Sequence, residues 1–161
     1  MTDHELIALG IEYRGTVLDA CVYLEKWIDT YIVYYFTWDG DIAMEMLELV
    51  LDRVSFDSKI SIFEAILKKK TKDLFKKTHS KLFSELRFVK DERNKFAHYI
   101  QKINNETNVV LICFRNSQTH YEYTGANYEL LLSRIEKCAQ VVKDMSSEMW
   151  GVDESGSPYR I

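Results

Sequence analysis

Asp91-Glu92-Arg93-Asn94-Lys95-Phe96-Ala97-His98-Tyr99 closes a long apolar pattern. Leu82, Leu86, Val89, Phe96 and Ile100 follow one another at spacings of 4, 3, 7 and 4, which is one face of a helix. The position missing from the series is 93, where the seam carries an arginine. A guanidinium stays charged at any working pH, and burying it unpaired is very costly. Arg93 therefore snorkels outward, pairs with a carboxylate such as Glu12 or Asp19, or lines a site. Five residues later stands His98, and histidine is the side-chain type that changes charge near neutral pH. At a helix C-terminus a histidine can equally serve as a favourable cation against the helix dipole.

Upstream of this stretch the chain reads as helix after helix. Thr2 and Glu5 form a capping box. Leu6, Gly10, Tyr13, Val17, Ala20, Leu24, Trp27, Tyr31 and Tyr34 then alternate spacings of 4 and 3, predicting a helix of about thirty residues along one seam. Gly10 and Gly15 weaken its first turns, which are expected to fray or bend. Trp38-Asp39-Gly40-Asp41 is a turn with a cap, followed by a helix burying Ile42, Met46, Leu47, Val50, Leu51 and Val54. Asp57 is the expected cap of a third helix with Ile60, Phe63, Ile66 and Leu67 inward. Thr78 or Ser80 starts the helix that carries the opening stretch.

Downstream the period changes. Val109 to Phe114 is β-branched and apolar, Asn116 to Thr119 has turn chemistry, and Tyr121 and Tyr123 alternate with polar neighbours. This predicts a β-hairpin near 108–124 on a helical body. A last helix is expected from about Asn127 to Met149, with Leu130, Leu131, Ile135, Cys138, Val141, Val142 and Met145 inward. The expected architecture is mainly α: about five helices in one domain over 1–150, then a polar, mobile tail over 151–161.

The bulk properties narrow the function. A chain of 161 residues is large enough for one sizeable core. Its single proline, Pro158, leaves the rest open to long helices. A net charge of −4 gives no global attraction to nucleic acid or anionic membrane, so a polyanion site has to be local. Cys21, Cys113 and Cys138 lie far apart in apolar patterns and suit free thiols in a reducing compartment. The longest apolar run, Tyr31 to Phe36, is too short to span a bilayer, and the first residues lack a leader's apolar core. The reading is a soluble, cytoplasmic protein without a membrane partner. His4, His79, His98 and His120 are isolated from one another, so no metal site and no cofactor is expected. One basic segment stands out: Lys68, Lys69, Lys70, Lys72, Lys76, Lys77 and Lys81 face only Asp73, as a solvated helix face or as a local phosphate patch.

Arg93, Asn94 and His98 are the remaining chemistry. Asn94 and His98 lie nearly in line on a helix, whereas Arg93 stands about 140° around from His98 at 3.6 residues per turn. They converge if the last turn unwinds or if a second copy of the helix lies opposite. Such a group suits phosphodiester cleavage in RNA: an imidazole moves the proton of the attacking or leaving oxygen, and a guanidinium neutralises the phosphate.

Arg93-Asn94-Lys95-Phe96-Ala97-His98 resembles the Arg-polar-x3-His motif of the HEPN superfamily, all-α bundles that include metal-independent endoribonucleases of toxin–antitoxin, abortive-infection and CRISPR-associated systems. Ser55-Phe56-Asp57-Ser58-Lys59-Ile60 also looks like several HEPN branches, and the likeness in architecture runs over about residues 10 to 149. The resemblance implies an HEPN-like helical bundle and a homodimer with one composite cleft. It implies RNA as substrate, Arg93, Asn94 and His98 as catalytic residues, and an antitoxin or other partner protein. Lys69, Lys72, Lys76, Lys95 and Tyr99 would contribute weaker RNA or phosphate contacts. The alternative is a non-catalytic HEPN-like domain that binds RNA, a nucleotide or a partner protein. Toxins paired with minimal nucleotidyltransferases carry a tyrosine two residues after the histidine; here that position is Ile100, and the tyrosine is Tyr99. Regulation by tyrosine modification is therefore not implied.

Overall fold

The computed structural model describes residues 2–72, 77, 79–104, 107, 109–113, 120–152 and 158–160. The chain is mainly helical, with a small antiparallel sheet after the motif. Helix α1 spans Asp3–Phe36, α2 Gly40–Glu45, α3 Phe56–Thr71, α4 Ser80–His98 and α5 Gly125–Ser147. Among the described residues, no helix is long and apolar enough to cross a membrane. The chain divides into two compact units, one formed by residues 1–22 and 88–136, the other by 23–87 and 137–161.

The first unit holds the motif. At the start of α1 the Thr2 N–H donates to Glu5 Oε2 at 2.7 Å and the Glu5 N–H to Thr2 Oγ1 at 3.3 Å, the capping box read from the sequence. The helix runs unbroken through Gly10 and Gly15, where a frayed start was expected. Leu6, Tyr13, Val17 and Cys21 are buried, as are Val89 and Phe96 of α4 and Tyr128, Leu131 and Ile135 of α5. Tyr13 stacks on Tyr128 with ring centroids 3.7 Å apart, packing at core spacing and not a ligand box. Leu130, expected inward, points out and is 61% exposed.

The expected hairpin is present as β2, Val109–Cys113, paired antiparallel with β3, His120–Tyr123; its turn, Asn116 to Thr119, lies outside the described residues. A third strand, β1 (Ile100–Asn104), joins it in the order β1-β2-β3. Ile100, read above as the last member of the helical seam, therefore opens a strand. The reason is local: α4 stops at His98, two residues earlier, and a seam period cannot reveal a stop when no glycine or proline marks it.

The second unit is built on Leu24, Ile28, Tyr31, Ile32 and Val33 of α1 with Ile60, Phe63, Ile66 and Leu67 of α3, the last four as expected. Asp39 caps α2, its Oδ1 accepting from the N–H groups of Asp41 and Ile42. After α2 the chain widens into a π-turn over Met46–Val50 and then tightens into a 3-10 turn over Leu51–Arg53. A π-turn inserts one residue and rotates the face that follows. Leu51 is buried as expected, but Ile42 and Val50 are about half exposed and Ala43 takes the inward place. The cap of α3 is Ser55, whose Oγ accepts from the Ser58 N–H at 3.2 Å, and not Asp57. In α5, Cys138 and Val142 are buried, whereas Val141, expected inward, is 44% exposed. Residues expected as a mobile tail include an antiparallel pair, β4 (Trp150–Val152) with β5 (Pro158–Arg160).

Lys72 closes α3 at φ 45° and ψ −119°, a conformation glycine adopts freely and a Cβ resists. Lys72→Gly is expected to raise stability by about 1 kcal/mol, read as a higher denaturant midpoint. An unchanged or lower midpoint would show that the backbone here is not strained.

Candidate functional site

Helix α4 presents its motif residues to two different surroundings. Glu92, Lys95, Phe96 and Tyr99 lie on one side, toward β3 and α1. The Glu92 carboxylate is buried and satisfied at both oxygens: Lys95 Nζ donates to Oε1 at 2.5 Å, and Tyr123 Oη donates to Oε2 at 2.5 Å. Burial, then the hydrogen bond and charge of Glu92, push the Tyr123 phenol well above its ordinary value, so the tyrosine remains the donor. Phe96 meets the Tyr123 ring edge-on at 4.8 Å, and Lys95 Nζ stands 3.8 Å from the Tyr121 ring centroid. The Tyr99 carbonyl, just past the helix end, accepts from Arg14 Nη2 at 2.5 Å. Arg14 thus places a cation at the C-terminus of α4, where the dipole favours one. That anchor was not anticipated.

Arg93, Asn94 and His98 occupy the rest of the helix surface. Arg93 and Asn94 are half-buried and His98 is exposed. The Arg93 guanidinium donates to Asn94 Oδ1 at 3.3 Å, and among the described residues it pairs with no carboxylate. Pairing with Glu12 or Asp19 is therefore not what holds it. Because α4 is helical through His98, the last turn does not unwind to bring Arg93 and His98 together. Instead the long Arg93 side chain reaches toward Asn94, and Asn94 lies one turn from His98 on the same line of the helix. The three residues form a polar strip that ends on an exposed imidazole.

Lys95 is tied to Glu92 and Tyr121, and the Tyr99 ring lies 6.3 Å from the Tyr121 ring. In the second unit Lys69 and Lys72 are exposed at the end of α3, while Lys76 lies outside the described residues. His79, given no role from the sequence, lines a 270 Å³ cavity with Tyr31, Lys70 and Met145. Burial lowers its pKa, and burial raises that of Tyr31 to about 12. Among the described residues no group of His, Cys, Asp and Glu side chains is arranged to hold a metal ion.

The sequence reading missed a cleft of 360 Å³ in the first unit, walled by Phe88, Glu92, Lys95, Tyr121, Tyr123 and Arg134. Its members come from α4, β3 and α5, and no local motif joins them. The one available signal was Tyr121-Glu122-Tyr123, two aromatics on a single face of a strand.

No family model, no curated protein and no solved structure matches the chain.

Proposed function

We propose that this protein is an HEPN-type, metal-independent endoribonuclease whose active site is shared by two copies, acting in a toxin–antitoxin or phage-defence setting. The observation that carries this is half-buried Arg93, without a carboxylate partner among the described residues, its guanidinium donating to Asn94 one turn from the exposed His98. A guanidinium on a half-buried side chain without a counter-ion is open to an anion, and a phosphate is an anion that it grips bidentately.

In this reading two α4 helices face each other, each contributing an Arg93 and a His98. One imidazole takes the proton of a ribose 2′-hydroxyl as its oxygen attacks phosphorus. The imidazole of the second copy gives a proton to the departing 5′-oxygen as the P–O5′ bond breaks. The products are a 2′,3′-cyclic phosphate and a free 5′-hydroxyl. Both guanidiniums sit against the non-bridging oxygens, where charge builds in the transition state. Asn94 steers the guanidinium through its Oδ1. The two-copy cleft also removes the angular problem, since each copy supplies the group that the other carries on the wrong side.

The test is incubation of purified protein with single-stranded RNA in excess chelator. Fragments ending in cyclic phosphate are expected. Binding without fragments would discard catalysis, and fragments only on metal addition would discard this mechanism.

A further inference from the structure

Exposed apolar side chains gather in one part of the second unit. Among the described residues, Phe36, Ile42, Met44, Leu49 and Val50 are all exposed within positions 36–50. The same stretch borders a groove of 500 Å³, walled by Trp27, Val33 and Tyr34 of α1 and by Gly40, Ala43, Met44 and Leu47 after it. Apolar side chains gathered beside a groove mark interaction sites, whereas scattered ones do not. Gly40, Met44 and Leu47 recur at spacings of 4 and 3, the row by which this segment lines the groove. Asp41, Glu45 and Glu48 follow them one residue on, and Asp52 extends the line. All four carboxylates are exposed, and none forms an ion pair among the described residues. Asp41 and Glu45, four apart on α2, repel each other, and Glu48 and Asp52 add to the same field. On the α1 side, Lys143 Nζ stands 5.5 Å from the Trp27 ring centroid, so the negative lip is the α2 side alone. The acidic row burdens the chain by itself and attracts a cationic partner.

We propose that this groove docks an amphipathic helix of a partner protein, its apolar face on Trp27, Met44 and Leu47 and its lysines or arginines along Asp41, Glu45, Glu48 and Asp52. The apolar anchors of such a helix recur at the same spacings of 3 and 4 as the lining row. Methionine at the lip adapts to side chains of different shape. The acidic row repels nucleic acid and anionic lipid, and a small apolar ligand would leave it unused. The groove belongs to the second unit and the Arg93–His98 strip to the first, so the docking surface stands with or without RNA cleavage.

The experiment is titration of the isotopically labelled full chain, followed by NMR, with two synthetic helical peptides. One carries leucines on one face and lysines beside them; in the other every lysine is glutamate. Saturable shifts of Trp27, Val33, Ala43 and Leu47 resonances are expected with the lysine peptide, which should bind roughly tenfold or more tightly than the glutamate peptide. Glu45→Lys combined with Glu48→Lys should reverse that preference at an unchanged melting temperature, since both side chains are exposed. Met44→Ser, at the exposed lip, should weaken binding of the lysine peptide. Equal binding of the two peptides, or a preference that survives the double reversal, overturns the proposal. Shifts confined to residues away from the groove, or no saturable shift with either peptide, do the same. Self-association of the chain, read by sedimentation, that disappears in the double variant assigns the groove to a second copy and overturns a foreign partner.

Discussion

His98→Ala is expected to slow the proposed RNA cleavage by roughly 10²–10⁴-fold, the usual contribution of a positioned general acid or base. Arg93→Ala should cost about 10²–10³-fold, comparable to removing one preorganised donor from a developing oxyanion. Neither variant should change the melting temperature by more than a degree or two. His98 is exposed, and the Arg93 guanidinium has no carboxylate partner among the described residues to leave stranded. Loss of activity at unchanged stability separates a site from a structural ion pair, for which Arg93→Met would be neutral or stabilising. The shared cleft makes a stronger demand. Wild-type protein mixed with excess His98→Ala protein should lose cleavage beyond simple dilution, because each mixed dimer keeps one imidazole where the mechanism uses two. Wild-type rates in both single variants would end the proposal. A loss no greater than dilution would confine the chemistry to one chain.

The parts of the fold that could be read from the sequence are those set by contacts three or four residues apart. The Thr2–Glu5 box, the 4–3 seam of α1 and the buried face of α3 are all of that kind. The misreadings have equally local causes. Val50 turns outward because the π-turn at Met46–Val50 shifts the period, which no count at 3.6 residues per turn can register, whereas Ile42, ahead of that turn, yields the inward place to Ala43. Strand β1 has Ile100 and Ile103 separated by Gln101 and Lys102, a spacing of three that does not alternate as a strand should.

The site divides in the same way. Arg93, Asn94 and His98 could be read because one helix orders them. Arg14, Tyr121 and Arg134 could not, because the groups they meet lie 85, 26 and 46 residues away along the chain: the Tyr99 carbonyl, Lys95 and Phe88. Lys59 shows the same limit. It stands within a stretch read for its cap, its helical seam and its family likeness, none of which singles out Lys59, yet it is 3% exposed.

Lys59 carries the largest expected loss of stability. Its Nζ lies 2.7 Å from Glu25 Oε1 and 2.7 Å from Asp29 Oδ2. Burial by itself would lower the lysine pKa, but the hydrogen bonds the ammonium donates to Asp29 and Glu25, with their charges, outweigh it and hold it above its ordinary 10.5. Burial also raises the Asp29 carboxyl, against the opposing pull of Lys59, and Asp29 Oδ1 is buried without a hydrogen-bond partner. Lys59→Met leaves a buried carboxylate uncompensated and should cost about 3–5 kcal/mol at neutral pH. Adding Asp29→Leu to Lys59→Met removes the stranded charge and should recover most of that loss, a coupling that a double-mutant cycle reads directly.

The pH dependence has a definite sign. A carboxyl whose folded pKa is raised above 3.8 contributes stability below that value and loses it as pH rises through the folded pKa. The deficit of Lys59→Met should therefore shrink as the solution is acidified toward pH 4. In the wild type, the contribution of Lys59 is lost only as pH rises beyond 10.5. Denaturant midpoints of the single and double variants between pH 4 and 8 check this. A single-variant loss under about 1 kcal/mol, or a deficit that widens on acidification, would show that the buried cation does not hold this core together.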